Sequence, residues 1–137
     1  MQLLLGHDEA VGKWLGERLK YEIAPPFAAV GVLDDEGALR AGWVINGFNG
    51  FNADIAFYGP GFLNRRVING MYTHLFVDIG VIRSSTYVRR DNKKMRQVIE
   101  RMGFRLEGVK RWFLGPRSRD DVFCYALFLD KAQKWMR

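Results

Sequence analysis

Asp54 and Tyr58 are a carboxylate and a phenol that one strand would set on the same face. Residues 53–58 alternate in the manner of a strand, and strand residues four apart share a face. A carboxylate that takes a proton and a phenol that gives one are the parts of general acid–base chemistry. Other chemistries fail on residue counts. His7 and His74 are the only histidines and Cys124 is the only cysteine, so no metal-ligand cluster is expected. There is no G-x-S-x-G, and two histidines on separate predicted helices do not make a nucleophilic triad.

Charge is unevenly distributed. Residues 1–82 hold 6 basic and 9 acidic side chains, residues 83–119 hold 12 basic and 3 acidic, and the last 18 residues balance. A concentrated basic stretch points to a polyanionic ligand, either nucleic acid or the phosphates of a nucleotide cofactor. Arg89, Arg90, Lys93, Lys94 and Arg96 are the side chains that would serve nucleic acid, although no nucleic-acid motif accompanies them. A single cysteine rules out an internal disulfide and suits a reducing compartment. Leu3–Leu5 is too short for the core of a signal peptide, and no apolar run reaches membrane-spanning length. The expected location is the cytoplasm.

The elements that must position these residues follow from periodicity. Val11, Trp14, Leu15 and Leu19 form the stripe of a first helix over 8–20, with Asp8 as its cap. Strands are expected at 28–33 and 39–46, joined by the turn Asp34-Asp35-Glu36-Gly37, and at 53–58. Leu63, Val67, Met71 and Leu75 mark a second helix. A strand over 81–88 precedes a third helix with Met95, Val98, Ile99 and Met102 on its buried stripe. Gly103 sits at its left-handed end. Strands at 104–114 and 121–129 complete the order. The whole chain, 1–137, reads as one domain. The class is α+β, a mixed α/β sandwich with helices flanking a twisted, largely antiparallel sheet of about six strands.

The second half carries a more specific signal. Phe76, Gly80 and Arg83 are followed by Asn92, by Gly103-Phe104 eleven residues later, by Glu107-Gly108 with Arg111, and by Asp121 with Tyr125. In this register the chain resembles the ribosomal-protein-acetyltransferase branch of the GNAT (N-acetyltransferase) family. The segment from Gly59 to Arg66 is also similar, more loosely, to that of short acetyltransferase-like proteins of phages and prophages, which often carry a comparable arginine there. The resemblance implies that strands 53–58 and 81–88 are parallel neighbours that part into a V. Acetyl-CoA, as co-substrate, would lie in that V with its pyrophosphate on the following helix. The physical basis is sound, because free N–H groups at a helix start attract phosphate.

Two departures from the family pattern bear on the site. The phosphate loop usually carries glycines at positions that fall near Phe62 and Asn64 here. In this chain the glycines stand earlier, at Gly59 and Gly61, and Arg65 and Arg66 follow as replacement phosphate ligands, since guanidinium bonds phosphate in two prongs. Second, the acids that family members place on the third helix fall at Met95 and Ile99, both on its apolar stripe. That leaves Asp54 to take the amine proton and Tyr58 to protonate the thiolate, with Tyr58 also beside the cofactor. Asn92 would contact the cofactor arm. The implied activity is acyl-CoA-dependent N-acylation of a primary amine on a protein or small molecule. The alternative is a non-catalytic protein of this fold that binds a protein or nucleic acid through its basic segment.

Overall fold

The computed structural model describes residues 1–59, 61 and 63–136. Helix α1 spans Asp8–Leu19, buries Val11 and Leu15, and stops at Lys20, which turns left-handed at φ 60°. Asp8 does not cap it. Its carboxylate instead accepts the Ala29 N–H at 3.1 Å, which ties the helix start to the sheet.

Strands β1 (Gln2–Leu4), β2 (Ala28–Leu33), β3 (Leu39–Asn46) and β4 (Asn52–Tyr58) form one run of neighbours. Helix α2 (Arg65–Thr73) continues without a break into a wider π-type turn, His74–Ile79, that ends at Gly80 with φ 89°. Then come β5 (Arg83–Arg89), α3 (Lys93–Arg101), β6 (Arg105–Lys110), β7 (Val122–Phe128) and the short α4 (Leu129–Ala132). All seven strands belong to one sheet, in the order β1-β2-β3-β4-β5-β7-β6. This is the expected α+β class with one strand more than expected, because Gln2–Leu4 pairs antiparallel with β2. The strand expected to run to Leu114 ends at Lys110, and Trp112 beyond it has φ 58°.

Helices cover the two faces unequally. On one face α2 and α3 close over Trp43, Ile45, Ile55, Phe57, Val88 and Leu127, and this is the main core. Met95 packs against that core and Ile99 is fully buried in it, so both residues are structural. On the other face α1 packs Val11 and Leu15 onto Ala29 and Val44. Among the described residues no helix crosses the β5, β7 and β6 part of that second face, and side chains there remain reachable from outside.

The parallel pair parts as expected. Strands β4 and β5 pair only at Asn52 with Arg83, Ala53 with Ser84 and Asp54 with Ser85. Beyond that, β4 stays with β3 as far as Tyr58, and β5 stays with β7 as far as Arg89. Two buried hydroxyls finish the join: Ser84 donates to the Ala53 carbonyl at 3.0 Å, and Thr86 donates to the Ile55 carbonyl at 2.9 Å. The V opens just past them.

Candidate functional site

The V offers unpaired backbone at its inner edges. Because the Ile55 carbonyl faces β5, strand alternation turns the N–H and carbonyl of Phe57 toward the same gap. Those groups are open to water or to an extended ligand that could lie in the V.

Asp54 stands at the closed end of the V, on the face that α1 leaves open. Its Oδ1 accepts from the Asn52 side chain at 3.3 Å. Gly47 is obligatory beside it. It has φ +63°, and a Cβ there would lie 2.7 Å from the Asp54 carboxylate. Asn52 also accepts from Arg83 at 3.0 Å and from the Ser85 hydroxyl at 2.8 Å. Arg83 in turn grips Glu107 in two prongs, at 2.8 and 3.2 Å. A continuous polar network therefore runs beneath the open face and fixes the floor around Asp54.

Tyr58 shares Asp54's face, but at a rise of about 3.3 Å per residue it stands about 13 Å along the strand. Its ring meets Trp14 of α1 edge-on at 5.7 Å. That spacing corrects the expectation of a working pair, since the two cannot serve one reacting atom directly. Tyr87 of β5 is the phenol near Asp54. Burial raises its pKa, and the Asp54 charge raises it further. Tyr87, Arg89, Lys110, Phe113, Leu114, Val122 and Asp54 line a concavity of about 450 Å³. A larger, shallower depression is built by residues 6–13 alone, with no second element facing it. Cys124 is paired with Tyr87 across β5 and β7. Burial pushes its thiol up, with Lys110 pulling against the shift, so it is not a ready nucleophile.

Phe113 and Leu114 come from the loop after β6, which two adjacent acids hold down. Asp120 accepts from Arg89 at 3.1 Å and from the backbone and guanidinium of Arg117. Asp121 accepts from the Trp112 N–H at 2.8 Å and from Arg90 at 3.1 Å. Burial works to raise the Asp120 pKa, but the Arg117 and Arg89 bonds outweigh it and hold the carboxyl below the ordinary aspartate range. Glu107 pairs with Arg83 and Asp121 with Arg90.

At the wide end of the V, Gly59 has φ +80°, and a Cβ there would press on Ala41 and the Arg40 carbonyl. Only glycine fits. Gly61 faces open space. Asn64 caps α2 by accepting the Val67 N–H at 2.9 Å. Phe62, one of the two positions where the family pattern puts glycine, lies outside the described residues. Arg65 departs from its expected role: it donates to the Lys134 carbonyl at 2.8 Å and lies over the Trp135 ring. Its side chain fastens α2 to the C-terminal segment. Arg66 is exposed and borders a depression shared with Met1, Gln2 and Leu3. Asn92 caps α3 through the Met95 N–H at 3.3 Å.

The basic segment is less free than its charge implies. Arg83, Arg89, Arg90 and Arg117 are in ion pairs. Arg96 lies over Phe123 and donates to the Tyr125 hydroxyl. Sequence reasoning missed Tyr87, Lys110 and Phe113. Alternation in β5 was the one available signal, since it puts Arg83, Ser85, Tyr87 and Arg89 on a single face.

No protein-family model and no curated protein matches the chain. Solved structures do. A chimeric spermidine N-acetyltransferase built from Vibrio cholerae SpeG and hSSAT superposes with a TM-score of 0.73 at 17% identity, over 96% of this chain and 97% of its own. The Vibrio cholerae spermidine N-acetyltransferase in complex with CoA and spermine gives 0.68 at 19%, over 80% and 69%. A dodecameric form of that enzyme gives 0.67 at 21%, over 78% and 67%. Identities this low speak to fold. The chain has the GNAT-like α+β fold that these N-acetyltransferases share.

Proposed function

We propose that the protein is an acyl-CoA-dependent N-acyltransferase that passes an acetyl group directly from acetyl-CoA to a primary amine. The observation that carries this reading is the parting of β4 and β5 after three paired positions, with Asp54 at the closed end and the start of α2 at the open end. Structures of this shape include an N-acetyltransferase in complex with CoA and spermine. The finer resemblance to the ribosomal-protein branch rests on the residues from Phe76 onward, and the looser one to the phage proteins rests on the loop that carries Arg65 and Arg66.

Acetyl-CoA would lie in the V with its arm against the Phe57 backbone and between Tyr58 and Asn92. Its phosphates would meet the first N–H groups of α2, the Gly59 to Gly61 turn and Arg66, whose side chain is long and exposed. The amine nitrogen attacks the thioester carbonyl, and Asp54 takes its proton directly or through one water. The carbon–sulfur bond then breaks and the sulfur takes a proton from Tyr87. The products are the amide and CoA thiol, and the proton held by Asp54 returns to Tyr87 through water. Most of the rate would come from holding the two reactants together. The setting proposed is the cytoplasm.

The second reading is a non-catalytic protein of this fold that binds a protein or nucleic acid. Met95 and Ile99 favour it, because they fill the positions where family members place an acid. The inward ion pairs of Arg89 and Arg90 weaken it. One calorimetric titration with acetyl-CoA, repeated with a double-stranded oligonucleotide, decides between them. Saturable binding of acetyl-CoA alone is expected, and binding of the oligonucleotide alone would overturn the acyltransferase.

A further inference from the structure

The pocket above Asp54 holds charges of both signs, and their placement defines the amine that fits. Among the described residues Asp54 is its only lining carboxylate. Glu107, on the same face, is taken up by Arg83. Of the two lining cations, Arg89 is committed to Asp91 and Asp120. Lys110 makes no ion pair among the described residues. Its ammonium lies 5.0 Å from the centre of the Tyr87 ring and 4.9 Å from that of Phe113. The two rings hold the ammonium over the pocket by cation–π attraction, and no carboxylate among the described residues takes up its hydrogen-bond donors.

A polycation would meet one carboxylate here and be repelled by Lys110. An amine that also carries a carboxylate satisfies both ends. Tyr87 stands two residues past Ser85, the partner of Asp54, on the same face of the parting strand, and the Lys110 ammonium sits against its ring. In closed antiparallel strands such a diagonal spans about 7–8 Å, so the two charges of the ligand should lie on the order of 7–10 Å apart. Phe113, Leu114 and Val122 wall the space between them with apolar surface.

We infer that the pocket takes an amphoteric acceptor, with its primary amine at Asp54, a carboxylate on Lys110 and an aromatic or apolar body between. This rests on the acyl-transfer reading for its chemistry but not for its binding. The test measures equilibrium binding of three ligands of one shape: para-(aminomethyl)benzoate, benzylamine and para-xylylenediamine. The aminobenzoate should bind about tenfold tighter than benzylamine, as expected for one charge-assisted hydrogen bond, with the diamine weakest. Lys110→Met should erase the difference, and Lys110→Glu should reverse the order in favour of the diamine. Equal binding of all three, preference for the diamine by the unaltered protein, an order indifferent to Lys110, or no binding of any would each overturn the inference. Because no turnover is read, a protein that selects the aminobenzoate yet ignores acetyl-CoA would sink the acyltransferase reading alone.

Discussion

Asp54 is a carboxylate fixed from several sides, and its proposed work can be separated from its structural part. Asp54→Asn keeps size and polarity, so acetyl-CoA affinity should hold while turnover falls by roughly 10²–10⁴-fold, the range of lost general-base assistance. The deficit should shrink at high pH, where the amine arrives deprotonated. Turnover measured by thiol release across a pH series checks this, and an undiminished rate would remove Asp54 from the chemistry. Tyr87→Phe should cost more activity than Tyr58→Phe, because Tyr87 is the phenol near Asp54. The direction of the Tyr87 shift matters as well. Its pKa is raised above 10, first by burial and then by Asp54. The phenol therefore keeps its proton through neutral and mildly alkaline solution, and no loss of rate from its ionisation is expected below that value. Asp54 was legible in the sequence, since a carboxylate in an alternating strand stands out. Tyr87 was not, because its relation to Asp54 depends on which strand lies next to which.

At the level of elements, the clearest test is the joint between α2 and α3. The Tyr72 hydroxyl is buried and donates to the Met102 carbonyl at 2.8 Å, and burial raises its pKa. Tyr72→Phe should cost about 0.5–1.5 kcal/mol, more if the stranded carbonyl finds no water. Urea unfolding measures it, and the fold should survive. The loop after β6 offers a pH test. Because Asp120 has a lowered pKa in the folded protein, the stability it contributes is fully present above the ordinary aspartate value of about 3.9. That stability fades as pH falls through the lower folded value. Acid unfolding of Asp120→Asn should accordingly be less steep than that of the unaltered protein. Elements were legible wherever apolar spacing repeats, as in α1, α3 and the hairpin of β2 and β3. Strand β1 was not, since three residues are too few to show alternation. Strand β6 was read too long because residues 111–114 continue an apolar-rich run, while Trp112 breaks the extended backbone with a positive φ.

Across the whole molecule, the strand order explains why half of the pocket could not be foreseen. Strand β7 is last in sequence yet lies between β5 and β6. Lys110 thus reaches Tyr87 across an intervening strand that no local pattern announces. If the V holds acetyl-CoA, ligand binding should raise the melting temperature in proportion to the logarithm of its concentration. The stabilisation is about 2.7 kcal/mol at a hundredfold excess over Kd. A melting temperature that does not change on titration would argue that the V binds something else.

The short pairing of β4 with β5 makes the sheet two plates joined at one corner. Strands β1 to β4 form one plate and β5, β7 and β6 the other. Their direct backbone join is confined to residues 51–54 against 82–85, with the Thr86 hydroxyl at its end. Such a seam divides unfolding into parts. Native-state hydrogen exchange should show amides of β2 and β3 opening with one free energy and amides of β5 and β7 with another, as separate cooperative units. A ligand that bridges the V would supply the missing rungs and draw the two values together. If exchange separates in this way, the depth of the gap between β4 and β5 would also set how far one plate can open while the other remains folded.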